Sequence, residues 1–231
     1  SFVGSSDIAQ YVYATGAAHG KRVQAMGGAK NHGILLPDAD LEAAANDILG
    51  AAFGSAGERC MALPVAVPVG ARTAEAFREL MVAKIETLKI GVSSDPAAQY
   101  GPVVSAAHRQ RISDYIQMGV DEGAELVADG RGFSLQGHEK GFFIGPTLFD
   151  HVKPAMKSYQ DEIFGPVLQI ARAETFDEAL ALPSQHAYGN GVAIFTRYME
   201  GVRFYTKVKT VTARWPEGEG SDQAFVIPTM K

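Results

Sequence analysis

The chain is short of several things, and each shortage excludes something. It holds one cysteine, Cys60, in 231 residues. No intrachain disulfide can brace it, which fits a reducing compartment. It has no block of lysine or arginine: 21 basic residues stand against 26 acidic ones, with a net charge of −5 and a pI near 5.7. No nucleic-acid partner is expected from such a balance. Its longest apolar runs, such as "MALPVAVPVG", are too short and too rich in proline to cross a bilayer. Repeats and low-complexity tracts are missing, and no His/Cys/Asp cluster shows metal-ligand spacing, so no metal is expected. An initiator Met, a basic n-region and a signal h-region are also missing. "SFVGSS" reads instead as the end of a strand entering a turn, and a chain cut inside a fold is the expectation. The remainder is ordinary globular composition, 46% hydrophobic and 20% charged, long enough to bury a sizeable core.

What is present alternates between two periods. "SSDIAQYVYATGAAHG" (5–20) reads as a helix with Ser5 or Ser6 as N-cap, and "KRVQAMGG" (21–28) as a strand stopped by glycines. Asp38 or Asp40 caps the next helix, where Leu41, Ala44, Ala45, Ile48, Leu49, Ala52 and Phe53 recur at helical spacing. Two more helices are expected, from Thr73 to about Leu88 and from Ser105 onward. Strands are expected in "ALPVAVPV", "AELVA" (124–128), "FFIGPTLF" (142–149), "PVLQIARA" (166–173) and "GVAIFT" (191–196). Alternating strands and helices of this length predict an α/β fold with a largely parallel sheet. "YTKVKTVTARW" (205–215) reads as a further long strand of β-branched residues.

Three stretches carry candidate chemistry. In "GSAGERCMALPVAV" (54–67), Cys60 sits in a short glycine-bearing loop between a buried helix and a strand. A thiol titrates near 8.5 and needs local positive potential to become a nucleophile, which the adjacent Arg59 supplies. Flanking glycines admit close approach of a substrate, and backbone N–H groups of the loop can hold an oxyanion. The competing reading is a small apolar residue in the core, since free cysteine is among the most buried types. In "GSSDIA" (4–9), a glycine and two hydroxyls stand where a strand turns into a helix, a place that suits a phosphate or is merely capped. "DEIFGPV" (161–167) sets two carboxylates beside a Phe-Gly-Pro turn. Lys30, Asn31 and His32 of "KNH" could line a pocket, but a lone histidine such as His32 reads first as a satisfied structural residue.

Taken in order and spacing, "FVGSSDIA", "MGGAKNH", "FGSAGERCMAL", "GPVV", "GFFIGPTLF" and "DEIFGPVL" resemble the aldehyde dehydrogenase superfamily. "QAMGGAKNHGILLPDAD", "GSAGERCMALPVAVPVG" and the closing "GVRFYTKVKTVTARWP" resemble its CoA-acylating methylmalonate-semialdehyde dehydrogenase branch. The resemblance covers nearly the whole chain, and it implies a family-type catalytic domain with NAD as cofactor and CoA as acyl acceptor. It implies Cys60 as the thiol that attacks a small-molecule aldehyde, and Arg59 as partner of the substrate's free carboxylate. Gly4 and Ser5 would hold the cofactor's pyrophosphate, Glu162 its nicotinamide ribose, and Phe164 would lie beside the nicotinamide. Met26 stands where hydrolytic members carry a glutamate that activates water. A thioether cannot take that proton, so release as acyl-CoA is expected over release of a free acid.

The resemblance also implies three regions: 1–24 as a remnant of a dinucleotide-binding domain, 25–197 as the cysteine-bearing catalytic domain, and 198–231 as an oligomerisation strand and tail. Segments of the family are missing before residue 1 and after "GVAIFTR", so the chain reads as truncated and internally deleted, and is expected to be close to inert alone. A homo-oligomer through residues 204–215 is expected, in the cytoplasm, or in the mitochondrial matrix of a eukaryote. Three alternatives stay open: a non-catalytic fragment that only associates, a hydrolytic aldehyde dehydrogenase, and a cysteine-dependent acyltransferase without NAD.

Overall fold

The computed structural model describes residues 1–197, and the strand expected over 204–215 lies outside the described residues. The chain opens with a βαβ unit. β1 (Phe2–Val3) pairs in parallel with β2 (Ala25–Met26), and α1 (Ser6–Ala18) crosses between them. The division expected at 24/25 thus falls between α1 and the strand that pairs with β1. Only the last part of "KRVQAMGG" forms a strand.

The main body is a six-stranded sheet in the order β5-β6-β7-β4-β3-β8. Its strands are β3 (His32–Leu35), β4 (Val65–Pro68), β5 (Glu125–Ala128), β6 (Thr147–Asp150), β7 (Val167–Ile170) and β8 (Val192–Phe195). Every pairing is parallel except β5 with β6, which is the expected α/β sheet. All four residues of β3, β4, β6 and β7 are buried, so both faces of the sheet's centre are covered.

The helices form where local signals place them. α2 (Leu41–Phe53) starts at Asp40, whose side chain accepts the Ala43 N–H at 3.1 Å, and its stripe buries Ala44, Ala45, Ile48, Ala52 and Phe53. α3 (Ala71–Glu86) begins two residues before the expected Thr73 and buries Phe77, Met81 and Ile85. α4 (Ala106–Asp121) is capped by Ser105, which accepts the His108 N–H at 3.1 Å.

Three elements were not expected from sequence: β3, the single-turn α5 (Lys157–Gln160) and α6 (Phe176–Gln185). β3 has no apolar/polar alternation to mark it, because it is buried throughout. α6 carries a Thr175-x-x-Glu178 start in which Thr175 accepts the Glu178 N–H at 3.2 Å, a signal that was available. In "FFIGPTLF" the strand begins only at Thr147, since Pro146 has no N–H to give a ladder.

Candidate active site

The strand order does the assembly. Adjacent strands β7, β4, β3 and β8 are preceded by residues 161–166, 54–64, 27–31 and 186–191, and these four loops therefore lie side by side. Between the first three opens a small cleft, with about 20 Å³ of space for water, lined among others by Cys60, Arg59, Asn31, Glu162 and Phe164. It lies beyond the amino ends of the strands, whereas open parallel sheets usually bind ligands beyond the carboxyl ends.

Cys60 is exposed in this cleft, so the core reading of the thiol is overturned. Its loop leaves α2 through a left-handed turn, with φ of 53° at Ser55, 54° at Ala56 and 70° at Gly57. The first two are not glycine, and each such residue costs about 1–2 kcal/mol. At Gly57 no side chain fits: a Cβ there would lie 2.2 Å from the Gly165 carbonyl oxygen. The thiol loop and the 161–165 loop thus touch backbone to backbone. Arg59 folds back over Gly54, and its Nε donates to Ser55 Oγ at 3.0 Å. The Cys60 carbonyl accepts from Asn31 Nδ2 at 3.0 Å and Asn190 Nδ2 at 2.8 Å.

The loop bearing Glu162 and Phe164 is held by one face of α4. Tyr115 donates to Asp161 Oδ2 at 2.8 Å. Arg111 donates to the Glu162 and Ile163 carbonyls at 2.9 and 2.8 Å, and His108 Nε2 to the Phe164 carbonyl at 2.6 Å. Phe164 takes a φ of 60°, a conformation kept only because its neighbours hold it. From the other side, the buried Lys30 ammonium donates to the Ser158 and Asp161 carbonyls at 3.0 and 2.8 Å. Burial pushes Lys30 down to about 7, against the opposing pull of Asp161 and Glu162.

Gly4 and Ser5 lie apart from the Cys60 cleft, at the start of α1. The Gly4 N–H donates to the Met26 carbonyl at 3.1 Å, and Ser5 is the N-cap, though its side chain makes no capping bond. Ser6 makes the cross-link instead: its Oγ accepts the Gly28 N–H at 3.0 Å, and Glu162 Oε1 accepts the next N–H, that of Ala29, at 3.1 Å. A Cβ on Gly28 would lie 2.8 Å from Glu162 Oε2 and 3.4 Å from Ser6 Oγ. The helix start and the carboxylate are therefore joined through a bare backbone segment. Met26 is exposed on β2 and does not line the Cys60 cleft.

Sequence reasoning missed Asn190 and the α4 face, and it raised Lys30 and Asn31 only as pocket lining, without the hydrogen bonds they make. The spacing of His108, Arg111 and Tyr115, three then four residues, marks one helix face and was readable. A lone asparagine in a loop carries no such mark. His32 is buried as expected, its Nε2 2.7 Å from the Tyr159 hydroxyl. One cluster among the described residues, Glu125, Asp150 and His151, brings three possible metal ligands within 4.8 Å. Asp150 there is already gripped by Arg172 at 2.9 and 2.5 Å.

Comparison with known proteins finds close relatives. The profile of the Aldehyde dehydrogenase family matches residues 1–215. The malonate-semialdehyde dehydrogenase of Pseudomonas aeruginosa is 43% identical over 277 aligned positions, covering 100% of this chain and 56% of its own length. The human methylmalonate-semialdehyde/malonate-semialdehyde dehydrogenase, an acylating mitochondrial enzyme, is 38% identical, with 100% and 52% covered. A Sinorhizobium meliloti chain assigned as a methylmalonate-semialdehyde dehydrogenase, solved with NAD, superposes with a TM-score of 0.86 at 56% identity, over 88% of this chain and 41% of that one. The chain thus spans about half the length of the curated relatives it matches. No described helix is long and apolar enough to cross a membrane.

Proposed function

This chain belongs to the aldehyde dehydrogenase family, and on that premise we propose that it carries the thiol half of an NAD-dependent, CoA-acylating oxidation of a malonate- or methylmalonate-semialdehyde-type aldehyde. The observation that carries the reading is the cleft that brings Cys60 and Arg59 beside Glu162 and Phe164, a hundred residues further along the chain. Exposed in a glycine-bearing loop, the Cys60 thiolate adds to the aldehyde carbon to give a thiohemiacetal. NAD, when bound, supplies the acceptor for the hydride that leaves that carbon, and a thioester stays on Cys60. Arg59, next to the thiol, is the cation for a carboxylate at the far end of such a substrate.

The residues present fit a dinucleotide. The start of α1, next to Gly4 and Ser5, offers its first-turn N–H groups and partial positive charge to a phosphate, while the Gly4 N–H itself is taken by Met26. Gly27 and Gly28 keep the backbone bare between that start and Glu162, whose carboxylate can accept from a ribose diol, with Phe164 as a ring surface nearby. In the last step a CoA thiol takes the acyl group from Cys60; the support against water is the resemblance alone, in which Met26 replaces the water-activating glutamate, since Met26 itself lies outside the cleft. The regional division at 24/25 and 197/198, and a homo-oligomer through residues 204–215, belong to the same proposal.

One experiment tests the core of it. The full natural chain is given the semialdehyde and NAD, with and without CoA, and absorbance of NADH is followed beside a Cys60→Ala variant. Formation of NADH is expected to stop at about one equivalent per thiol without CoA, as an acyl-enzyme accumulates, and to vanish in the variant. Steady turnover to free acid without CoA overturns the acylating reading, and activity in the variant overturns the role of Cys60.

A further inference from the structure

Two asparagines, Asn31 in this cleft and Asn190 in the loop before β8, have no part in the chemistry above, yet both are aimed at the residue that bears the thiol. Asn31 is buried, 3% exposed, just before β3. Its amide N–H2 donates to the carbonyls of Cys60 at 3.0 Å and Ala62 at 2.6 Å, and its oxygen accepts the Gly191 N–H at 2.8 Å. Asn190, just before β8, is exposed, and its amide donates to the same Cys60 carbonyl at 2.8 Å. Both lone pairs of one carbonyl are thereby used by side chains from two different loops.

Asn190 holds this position under strain. Its φ is 121°, in the region that favours glycine, and glycines stand on either side of it. A side chain kept where glycine would be easier marks a function for that side chain. Its partner is Cys60, and the bond spans 130 residues of chain.

We propose that Asn31 and Asn190 are positioning residues for the Cys60 thiol. Gripping the Cys60 carbonyl from both sides fixes the peptide plane between Cys60 and Met61. Holding that plane restrains ψ of Cys60 and so narrows the directions open to the Cα–Cβ bond, which favours the attack geometry that addition to a carbonyl carbon requires. The proposal rests on the reading of Cys60 as the acylated group. It extends that reading by assigning the orientation of the thiol to two side chains that never touch substrate.

The test separates orientation from both folding and thiol reactivity. p-Nitrophenyl acetate acylates a thiol without NAD or CoA: the C–S bond forms at the ester carbon, the C–O bond breaks, p-nitrophenolate leaves, and the thiol proton goes to water. Iodoacetamide alkylates the same sulfur by displacement of iodide and makes no tetrahedral adduct. Both rates are measured on the full natural chain and on Asn190→Gly, Asn190→Asp and Asn31→Ser variants, the second reaction by intact mass.

Asn190→Gly relieves the backbone and removes only the donor, so its melting temperature is expected at or above that of the parent. Its acylation rate is expected to fall on the order of tenfold, less than a full misplacement would cost because Asn31 still holds, while alkylation changes by less than about twofold. Asn190→Asp keeps the shape and sets an oxygen against the carbonyl, and it is expected to lose at least as much. Asn31→Ser is expected to lower the same ratio of the two rates. Unchanged acylation in Asn190→Gly, or an equal fall in both reactions, overturns the proposal. A Cys60→Ala control that still releases a burst of p-nitrophenolate instead overturns the reading of Cys60 beneath it.

Discussion

Gly57 is where the thiol loop and the Glu162–Phe164 loop meet, and replacing it by alanine measures what that contact is worth. Two costs add. At φ 70° an L side chain is disfavoured by about 1–2 kcal/mol. The new Cβ also lies 2.2 Å from the Gly165 oxygen and 2.5 Å from its carbon, so one backbone must move away from the other. Overpacking of this kind costs about 1–3 kcal/mol, and a backbone neighbour puts it at the upper end. The sum is about 4 kcal/mol, equivalent to a fall in melting temperature of roughly 8–16 °C for a chain of this size. Gly123→Ala is the control: its φ is 89°, with nothing within 4 Å of the added Cβ. Only the backbone cost applies there, about 1–2 kcal/mol, or roughly 2–8 °C. Calorimetric melting of both variants gives the difference, expected near 2–3 kcal/mol. Equal shifts for the two would show that the loops part without resistance, and the close contact would then not hold the site together.

Two further outcomes follow from buried charge. Burial holds His32 down at about 4 against an ordinary 6.5, so between these values the unfolded chain binds a proton that the folded chain refuses. Stability therefore rises with pH across that window, by about 3 kcal/mol, and His186, lowered by the same cause, adds to the slope. Urea midpoints from pH 4 to 6.5 check it, and a slope that survives His32→Gln unaltered would refute the assignment. Asp150 is fully buried against the Arg172 fork, with Arg78 Nε also 3.3 Å from its Oδ2, so Arg172→Met should cost about 3 kcal/mol, the low end for breaking a buried pair, because Arg78 still faces the carboxylate. Adding Asp150→Asn should recover much of that loss in the same melts, and no recovery would mean that packing, not charge, was lost.

The strand arrangement explains why the helices were easier to read than the site. α2 announces itself within a few residues, through Asp40 and a stripe that repeats every turn, because capping and amphipathic burial are local. β3 announces nothing: His32, Gly33, Ile34 and Leu35 are all buried, and a strand covered on both faces has no alternation. Residue types at Cys60 and in "DEIFGPV" raised candidates that the structure brings to one cleft. Nothing in their spacing placed them 100 residues apart in sequence yet on one cleft.

By itself, then, the sequence determined the α/β class, the cap and buried stripe of α2, the start of α4 at Ser105, the absence of an internal disulfide, and the family resemblance carried by its motifs. Each of these depends on residues close together or on the identity of a short run. Tertiary structure alone decided that β7, β4, β3 and β8 are neighbours, and so which loops share a cleft. It alone exposed the thiol, set Gly57 against Gly165, turned one face of α4 onto residues 161–164, and brought Asn31 and Asn190 to one carbonyl. The physical reason is that hydrogen bonds across 130 residues depend on strand order, and strand order is settled by burial of the whole sheet rather than by any local pattern.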